Sequence, residues 1–146
     1  DAIMKKGINV ALGTDGSASN NNVNLFEEMH LAALVNKAVT EDAESVPATE
    51  VLRMATINGA RLLGLEEDIG SLEPGKCADM ISVDLSALRF QPIHNPISDI
   101  VYAASGDQVS NVWINGNQLM SNRALTKMDT ARMLANANQW LSKTRA

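Results

Sequence analysis

The sequence predicts an α/β fold: the last β/α unit of a parallel (β/α)8 barrel, then part of a small antiparallel β-domain, then a C-terminal helix. Three observations predict this order. A β-rich run at residues 8–12 leads directly into a glycine-containing loop and a long amphipathic helix, which is the pattern of a barrel unit. Two turn sequences farther on, at residues 73–76 and 115–116, mark short antiparallel strands. A helical stretch follows them.

Residues 1–66 are expected to form the C-terminal end of the barrel domain. Residues 1–7 resemble the last turns of a helix, with Lys5 and Lys6 facing the negative end of its dipole and Gly7 as a left-handed C-cap. This stretch has no N-cap of its own. We therefore expect the chain to be a piece of a longer protein.

Two further helices are predicted in the same part of the chain. The first spans about residues 25–39, where Asn24 is a suitable N-cap and apolar residues recur at helical spacing over a broad arc. The second begins near Pro47, because proline suits the first turn of a helix, and ends around residues 58–59. Residues 60–65 are expected to add another turn.

Residues 67–125 are expected to form the C-terminal half of a small composite β-domain, and residues 126–146 a separate C-terminal helix. The Pro-then-Gly turn separates a short strand near residues 70–72 from a stronger one at residues 78–83. The dipeptide Asn-Gly then joins two strands in a type I′ hairpin. The last helix is predicted over about residues 130–143.

Composition argues against several classes of function. Seventeen acidic and twelve basic side chains give a net charge of -5 without a basic cluster, so we expect no nucleic-acid partner. No apolar run approaches the roughly 20 residues that a membrane span needs, so we expect no membrane contact. The single cysteine, Cys77, allows no internal disulfide and favours a reducing cytoplasm.

Asp15 is the candidate catalytic residue because it follows the first strand inside the motif Gly13-Thr14-Asp15-Gly16. Catalytic side chains of parallel barrels gather at the C-terminal ends of strands, and a carboxylate is a hard donor that suits a divalent metal. The flanking glycines are expected to let the backbone turn and to leave room for a substrate. An ordinary Asp-Gly turn fits the same spacing. A phosphate-binding loop is a third interpretation, although neither common phosphate-loop motif occurs.

Four blocks of sequence carry a resemblance to a known family. They are GTDG with SNNN at residues 13–22, ATINGARLLG at 55–64, IGSLEPGKCADM at 69–80, and V with VWING at 109–116. In this order they resemble the amidohydrolases, in the branch of the methylthioadenosine/S-adenosylhomocysteine deaminases and the TRZ/ATZ-like chlorohydrolases. The blocks cover most of the chain.

This resemblance implies that the chain is an incomplete part of a metal-dependent (β/α)8 barrel. In the family, the aspartate at this strand end binds the catalytic metal and helps to move the proton of the attacking hydroxide, so Asp15 takes the catalytic, metal-binding and substrate-binding roles. One divalent metal is implied, with zinc favoured. The family's HxH pair, further histidines and catalytic glutamate have no counterpart here. We therefore expect the metal to be weakly bound or absent in this chain and the chain itself to be inactive.

The implied parent enzyme hydrolytically deaminates an adenine nucleoside of the methylthioadenosine/S-adenosylhomocysteine type with a metal-activated water. A chlorohydrolase or guanine-type deaminase, acting on a heterocyclic amine, is the alternative. A stand-alone, non-catalytic binding module is an alternative of another class. Because part of a barrel exposes strand edges and apolar helix faces, we also expect self-association or a homo-oligomer. Ser17 is a candidate substrate contact in the Asp15 loop, although an ordinary polar loop explains it as well.

Four other titratable side chains are interpreted as structural. His30 has no second ligand at helical spacing, since Leu34 stands four residues farther on. His94 lies in a proline-bounded loop. Asp79 and Asp84 bracket a strand at a spacing that places them on opposite faces, which favours turn roles.

Overall fold

The computed structural model describes residues 1–144, in which five α-helices accompany one four-stranded antiparallel sheet. The helices are α1 (Leu25–Thr40), α2 (Ala48–Met54), α3 (Ile57–Leu63), α4 (Pro96–Tyr102) and α5 (Thr130–Thr144). The strands are β1 (Met80–Val83), β2 (Val109–Ile114), β3 (Asn117–Ser121) and β4 (Ala124–Leu125). Residues 145–146, the end of the predicted C-terminal helix, lie outside the described residues.

The first long helix is confirmed within one residue of its predicted end. Asn24 caps it, since its side-chain oxygen accepts the Phe26 N–H at 3.1 Å. The apolar arc divides into two parts, because Phe26, Met29 and Ala33 are buried whereas Leu34 remains exposed. The predicted broad arc is therefore only partly covered among the described residues.

The second predicted helix is wrong as one continuous helix, because α2 and α3 are separated at Ala55 and Thr56. The backbone of Thr56 has φ −133° and ψ −101°, and its hydroxyl donates to the Leu52 carbonyl at 2.7 Å. Threonine hydroxyls that bond the preceding turn compete with regular helix hydrogen bonding and bend the chain. The break leaves α2 and α3 with separate ends.

The two predicted strands at residues 8–12 and 70–72 are wrong in this structure. Residues 8–12 have no ladder partner in the described chain, and a strand exists only beside a hydrogen-bonded neighbour. They instead bond the α2–α3 junction. At Gly70, φ of 90° turns the backbone onto α3, where an added Cβ would lie 2.7 Å from the Cβ of Ala60. This close approach excludes a regular strand.

The main hydrophobic core lies between α1, α2 and α4. Val51 and Val101 are fully buried there. Helix α4, which contributes Val101, was not predicted, although Asn95 caps it by accepting two backbone N–H groups and Pro96 stands at its first turn. The cluster consists of Phe26, Met29, Ala33, Val46, Ala48, Val51, Met54 and Val101. It draws on residues from both sides of residue 66, and the predicted domain boundaries remain predictions.

The sheet has the order β1-β2-β3-β4, with every neighbouring pair antiparallel. The predicted hairpin is confirmed: Asn115 and Gly116 have φ of 48° and 73°, the two positive values that a type I′ turn requires. The stronger predicted strand is confirmed in part, since β1 begins at Met80. Helix α5 has no buried residue, and Asp129 caps it by accepting the Arg132 N–H at 3.0 Å. Among the described residues, no helix combines the length and apolar character that crossing a membrane requires.

Candidate functional site

Asp15 lies in the loop between the extended residues 8–12 and helix α1, and its side chain is exposed. Asp15 itself has φ of 58°, whereas Gly13 and Gly16 do not have positive φ. The expectation that the glycines supply the turn is therefore wrong. Aspartate tolerates the left-handed region because its short polar side chain can bond the local backbone.

The Asp15 carboxylate is held by its own loop. The Gly16 N–H donates to Oδ1 at 2.6 Å, and the Ser19 hydroxyl donates to Oδ2 at 2.8 Å. The Gly16 N–H, followed by the Ser19 hydroxyl, lowers the pKa of Asp15 below its ordinary value because both bonds favour the charged form. Since a carboxylate oxygen has two lone pairs, each oxygen keeps acceptor capacity for an external ligand.

The rest of the loop is tied to the first turn of α1. The Asn20 side chain donates to Glu28 at 2.6 Å, and the Asn22 side chain donates to Glu27. Glu27 and Glu28 therefore fix this loop as well as standing at the positive end of the helix dipole. Ser17, the predicted substrate contact, is exposed on the same loop.

The described residues do not make a complete metal site. Within residues 1–144, no group of three or more His, Cys, Asp or Glu side chains is placed to hold a metal ion. A zinc ion in a protein usually takes three or four protein ligands in tetrahedral geometry. Asp15 alone can therefore supply one ligand.

The two histidines and two further aspartates that were interpreted as structural lie outside the Asp15 loop. His30 is half-buried and its ring meets the Tyr102 ring edge to face, with centroids 6.4 Å apart. His94 is exposed before α4. Asp79 accepts the N–H of hairpin residue 115 at 2.6 Å, and Asp84 accepts the N–H of residue 86 at 2.9 Å. The two aspartates therefore stabilise turns.

Asn58, for which no role was predicted from the sequence, bonds the extended segment that leads to Asp15. It is only 5% exposed, and its side-chain amide donates to the Val10 carbonyl at 3.0 Å. The Asn9 side chain donates to the Asn58 carbonyl at 2.9 Å. The available signal was an amide side chain inside a largely apolar helical stretch, where a buried polar group needs a partner.

Comparison with known proteins identifies the family to which this chain belongs. The model of the amidohydrolase family matches residues 1–119, and the chain belongs to that family. The chain is 51% identical to the 5-methylthioadenosine/S-adenosylhomocysteine deaminase of Teredinibacter turnerae, over 97% of this chain and 32% of that protein. It is 41% identical to the 5′-deoxyadenosine deaminase of Methanopyrus kandleri, over 94% of this chain and 32% of that protein.

A solved structure shares the fold closely. The adenosine deaminase from Xanthomonas campestris with bound zinc matches with a TM-score of 0.93 and 48% identity, over 99% of this chain and 33% of that one. The chain thus spans about a third of the length of the curated relatives that it matches. The zinc-complexed atrazine chlorohydrolase of Arthrobacter aurescens matches with a TM-score of 0.85 and 34% identity, over 93% of this chain and 30% of that one.

Proposed function

We propose that this chain is the C-terminal part of a metal-dependent hydrolase that deaminates an adenine nucleoside of the methylthioadenosine/S-adenosylhomocysteine type. The observation that carries the proposal is the 51% identity to a deaminase of that name over 97% of the chain. The reaction class is hydrolysis of a non-peptide C–N bond in a cyclic amidine. Ammonia and the corresponding inosine nucleoside are the expected products.

Asp15 is the residue that we propose for the chemistry. The Gly16 and Ser19 hydrogen bonds hold its carboxylate charged and oriented, with acceptor capacity on both oxygens. We propose that it supplies one ligand to a zinc ion whose other ligands lie outside these residues. When bound, such an ion lowers the pKa of its water toward neutrality. Ser17, exposed two residues farther along the loop, is proposed to contact the substrate.

The test is ammonia release by the full-length protein with 5-methylthioadenosine, S-adenosylhomocysteine and 5′-deoxyadenosine. Asp15→Asn should lower kcat at least about a hundredfold, the scale expected when a preorganised charged group is lost from an active site. Asp84→Asn is the matched control, because Asp84 is another aspartate whose pKa is lowered by a hydrogen-bonded serine. Equal activity of Asp15→Asn and the wild type would contradict the role of Asp15.

Zinc dependence is tested separately from the substrate. Chelation should abolish ammonia release, and added zinc should restore it. The isolated chain should bind zinc weakly, since it contributes one carboxylate. Tight, stoichiometric zinc in the isolated chain would instead favour a stand-alone binding module.

A second candidate function is dechlorination of a chlorinated heterocycle. Its support is the 34% identity to an atrazine chlorohydrolase over 93% of the chain. Chloride release from atrazine, without ammonia release from the three nucleosides, would replace the deaminase proposal. The loops that select the leaving group are expected in the part of the (β/α)8 barrel that lies outside this chain.

We also propose that the chain associates with copies of itself and works in the cytoplasm. Large apolar side chains remain exposed on α1, where Val39 is 78% exposed, and on α5, where Trp140 is 66% exposed. Apolar surfaces of this kind favour association. Light scattering of the isolated chain tests this point, and a monomer at all concentrations would contradict it. The single cysteine suits a reducing compartment.

A further inference from the structure

We infer that Asn58 is a positioning residue for Asp15, through the extended segment that carries the carboxylate; this inference rests on the proposed function. Asn58 belongs to α3, yet its side-chain amide reaches Val10, 48 residues earlier in the chain, at 3.0 Å. The Asn9 side chain makes a second bond between the same two segments by donating to the Asn58 carbonyl at 2.9 Å. A buried amide that makes such bonds is costly to replace, because its partner loses its own hydrogen bond.

A second anchor comes from the end of α2. The Leu12 N–H donates to the carbonyl of Met54 at 2.9 Å. Met54 is the last residue of α2, where a helix leaves its carbonyls without intrahelical donors. Met54 and Asn58, which lie on either side of the break between α2 and α3, therefore both bond the extended segment.

The two anchors act on one edge of the segment. In extended chain, the C=O of one residue and the N–H of the residue two positions later point to the same side. The Val10 carbonyl and the Leu12 N–H are such a pair, and the α2–α3 junction bonds both. The α2–α3 junction thus bonds this edge of the segment in the way that a neighbouring strand bonds a strand within a sheet.

Asp15 follows the second anchor by three residues. Its own bonds to Gly16 and Ser19 fix the carboxylate within the loop, but they do not fix the loop to the core. The Val10 and Leu12 anchors do so on one side of Asp15. Catalytic groups displaced by about 1 Å can lose on the order of a hundredfold in rate, so this placement matters for turnover.

The first arm of the test is hydrogen exchange of the full-length protein, followed in peptides that cover residues 8–16. Asn58→Ala should raise exchange there at least tenfold relative to peptides of α1. Asn58→Asp keeps the volume but loses the NH₂ donor, which bonds both the Val10 carbonyl and the Glu50 carboxylate, so it should raise exchange as well. Asn111→Ala is the matched control, because Asn111 is another hydrogen-bonded asparagine, in β2, remote in sequence from this segment. This control should leave the hydrogen-exchange rate of residues 8–16 unchanged.

The second arm is steady-state deamination of 5-methylthioadenosine. Asn58→Ala and Asn58→Asp should lower kcat at least tenfold and leave KM within threefold, which is the pattern of lost transition-state placement. Asn111→Ala should leave both kcat and KM unchanged once the rates are normalised to folded protein. If Asn58→Ala does not fold, Asn9→Ala removes one bond from an exposed residue and should give a smaller change in the same direction.

Unchanged exchange at residues 8–16 in the folded Asn58 variants would overturn the inference. Equal losses of kcat in the Asn58 and Asn111 variants would overturn it as well, since a general structural role predicts that result. If the wild type releases no ammonia, the proposed function fails, whereas the exchange arm still decides whether Asn58 holds the segment.

Discussion

The helical core and the sheet of this chain are stabilised in different ways. Between α1, α2 and α4, side chains such as Val51 and Val101 are fully buried. On the four strands no residue is buried, and polar side chains bond across the ladder instead. Asn111, for example, donates to Ser82 at 2.8 Å and accepts the Asn122 N–H at 3.0 Å. Full apolar burial is therefore confined to the helical region, whereas the sheet combines partly buried side chains, such as Val83 and Val109 against the helical core, with hydrogen bonds and turn geometry.

This difference bears on the candidate site. The Asp15 loop is anchored to the helical region, through Asn58 and Met54 on one side and through the first turn of α1 on the other. Loss of helical packing should therefore disturb Asp15, whereas loss of a hydrogen bond within the sheet should not. Four predictions test this comparison.

The largest expected effect is cavity formation in the helical core. Met29 is 4% exposed, so Met29→Ala should lower the free energy of unfolding by about 2–5 kcal/mol. Met133 on α5 is 51% exposed, and Met133→Ala should change the free energy of unfolding by less than about 0.5 kcal/mol. Urea denaturation of the chain measures both. Similar losses for the two variants would remove the contrast between buried core and exposed helix.

The next effect concerns the close approach between the helical region and the turns that follow it. At Gly70 an added Cβ would lie 2.7 Å from the Cβ of Ala60, and φ is 90°. Gly70→Ala should cost about 2–4 kcal/mol, from overpacking and backbone strain together. Gly75 has φ of 100° with no atom within 4 Å of an added Cβ, so Gly75→Ala reports the strain alone. Thermal unfolding should place Gly75→Ala nearer the wild type, and the reverse order would contradict the contact.

A smaller effect is expected in the sheet. Asn111→Ala removes the bonds to Ser82 and Asn122, and should lower the free energy of unfolding by about 1–2 kcal/mol. Asn117→Ala is the control, because its side chain is exposed and, within residues 1–144, bonds only the Asn115 carbonyl. Denaturation curves followed by circular dichroism measure the pair. A loss for Asn111→Ala as large as that for Met29→Ala would show that the sheet depends on burial after all.

The smallest effect is electrostatic and local to each region. The pKa of Asp15 is lowered first by the Gly16 N–H and then by the Ser19 hydroxyl, and that of Asp84 first by the Ser86 hydroxyl. Ser19→Ala should therefore raise the pKa of Asp15 and leave that of Asp84 unchanged, while Ser86→Ala should do the opposite.

The pH dependence follows from the sign of these shifts. A folded-state pKa below the unfolded one stabilises the fold above the unfolded pKa of about 3.9, and this contribution is lost as the pH falls through the folded value. Carboxyl chemical shifts in an NMR titration from neutral pH to strong acid measure both aspartates. A shift of both pKa values in either variant would show that the two loops are coupled.

Local signals accounted for much of the fold in advance. The Asn24 cap placed the start of α1 correctly, and the Asn-Gly dipeptide placed the hairpin. The break at Thr56 and the helix α4 were missed, although Asn95 and Pro96 are a recognisable helix start. Short helices of this kind form because tertiary packing covers one face, and a single sequence does not report that packing.

The sequence by itself determined the family, through motifs in family order, and it singled out Asp15 as the candidate ligand. Only the tertiary structure decided that Asp15, rather than a glycine, adopts the left-handed conformation, and that Asn58 reaches back to Val10. The physical reason is distance along the chain. Caps and turns depend on neighbours within a few residues, whereas the partner of a buried amide can lie anywhere that folding brings a carbonyl within about 3 Å.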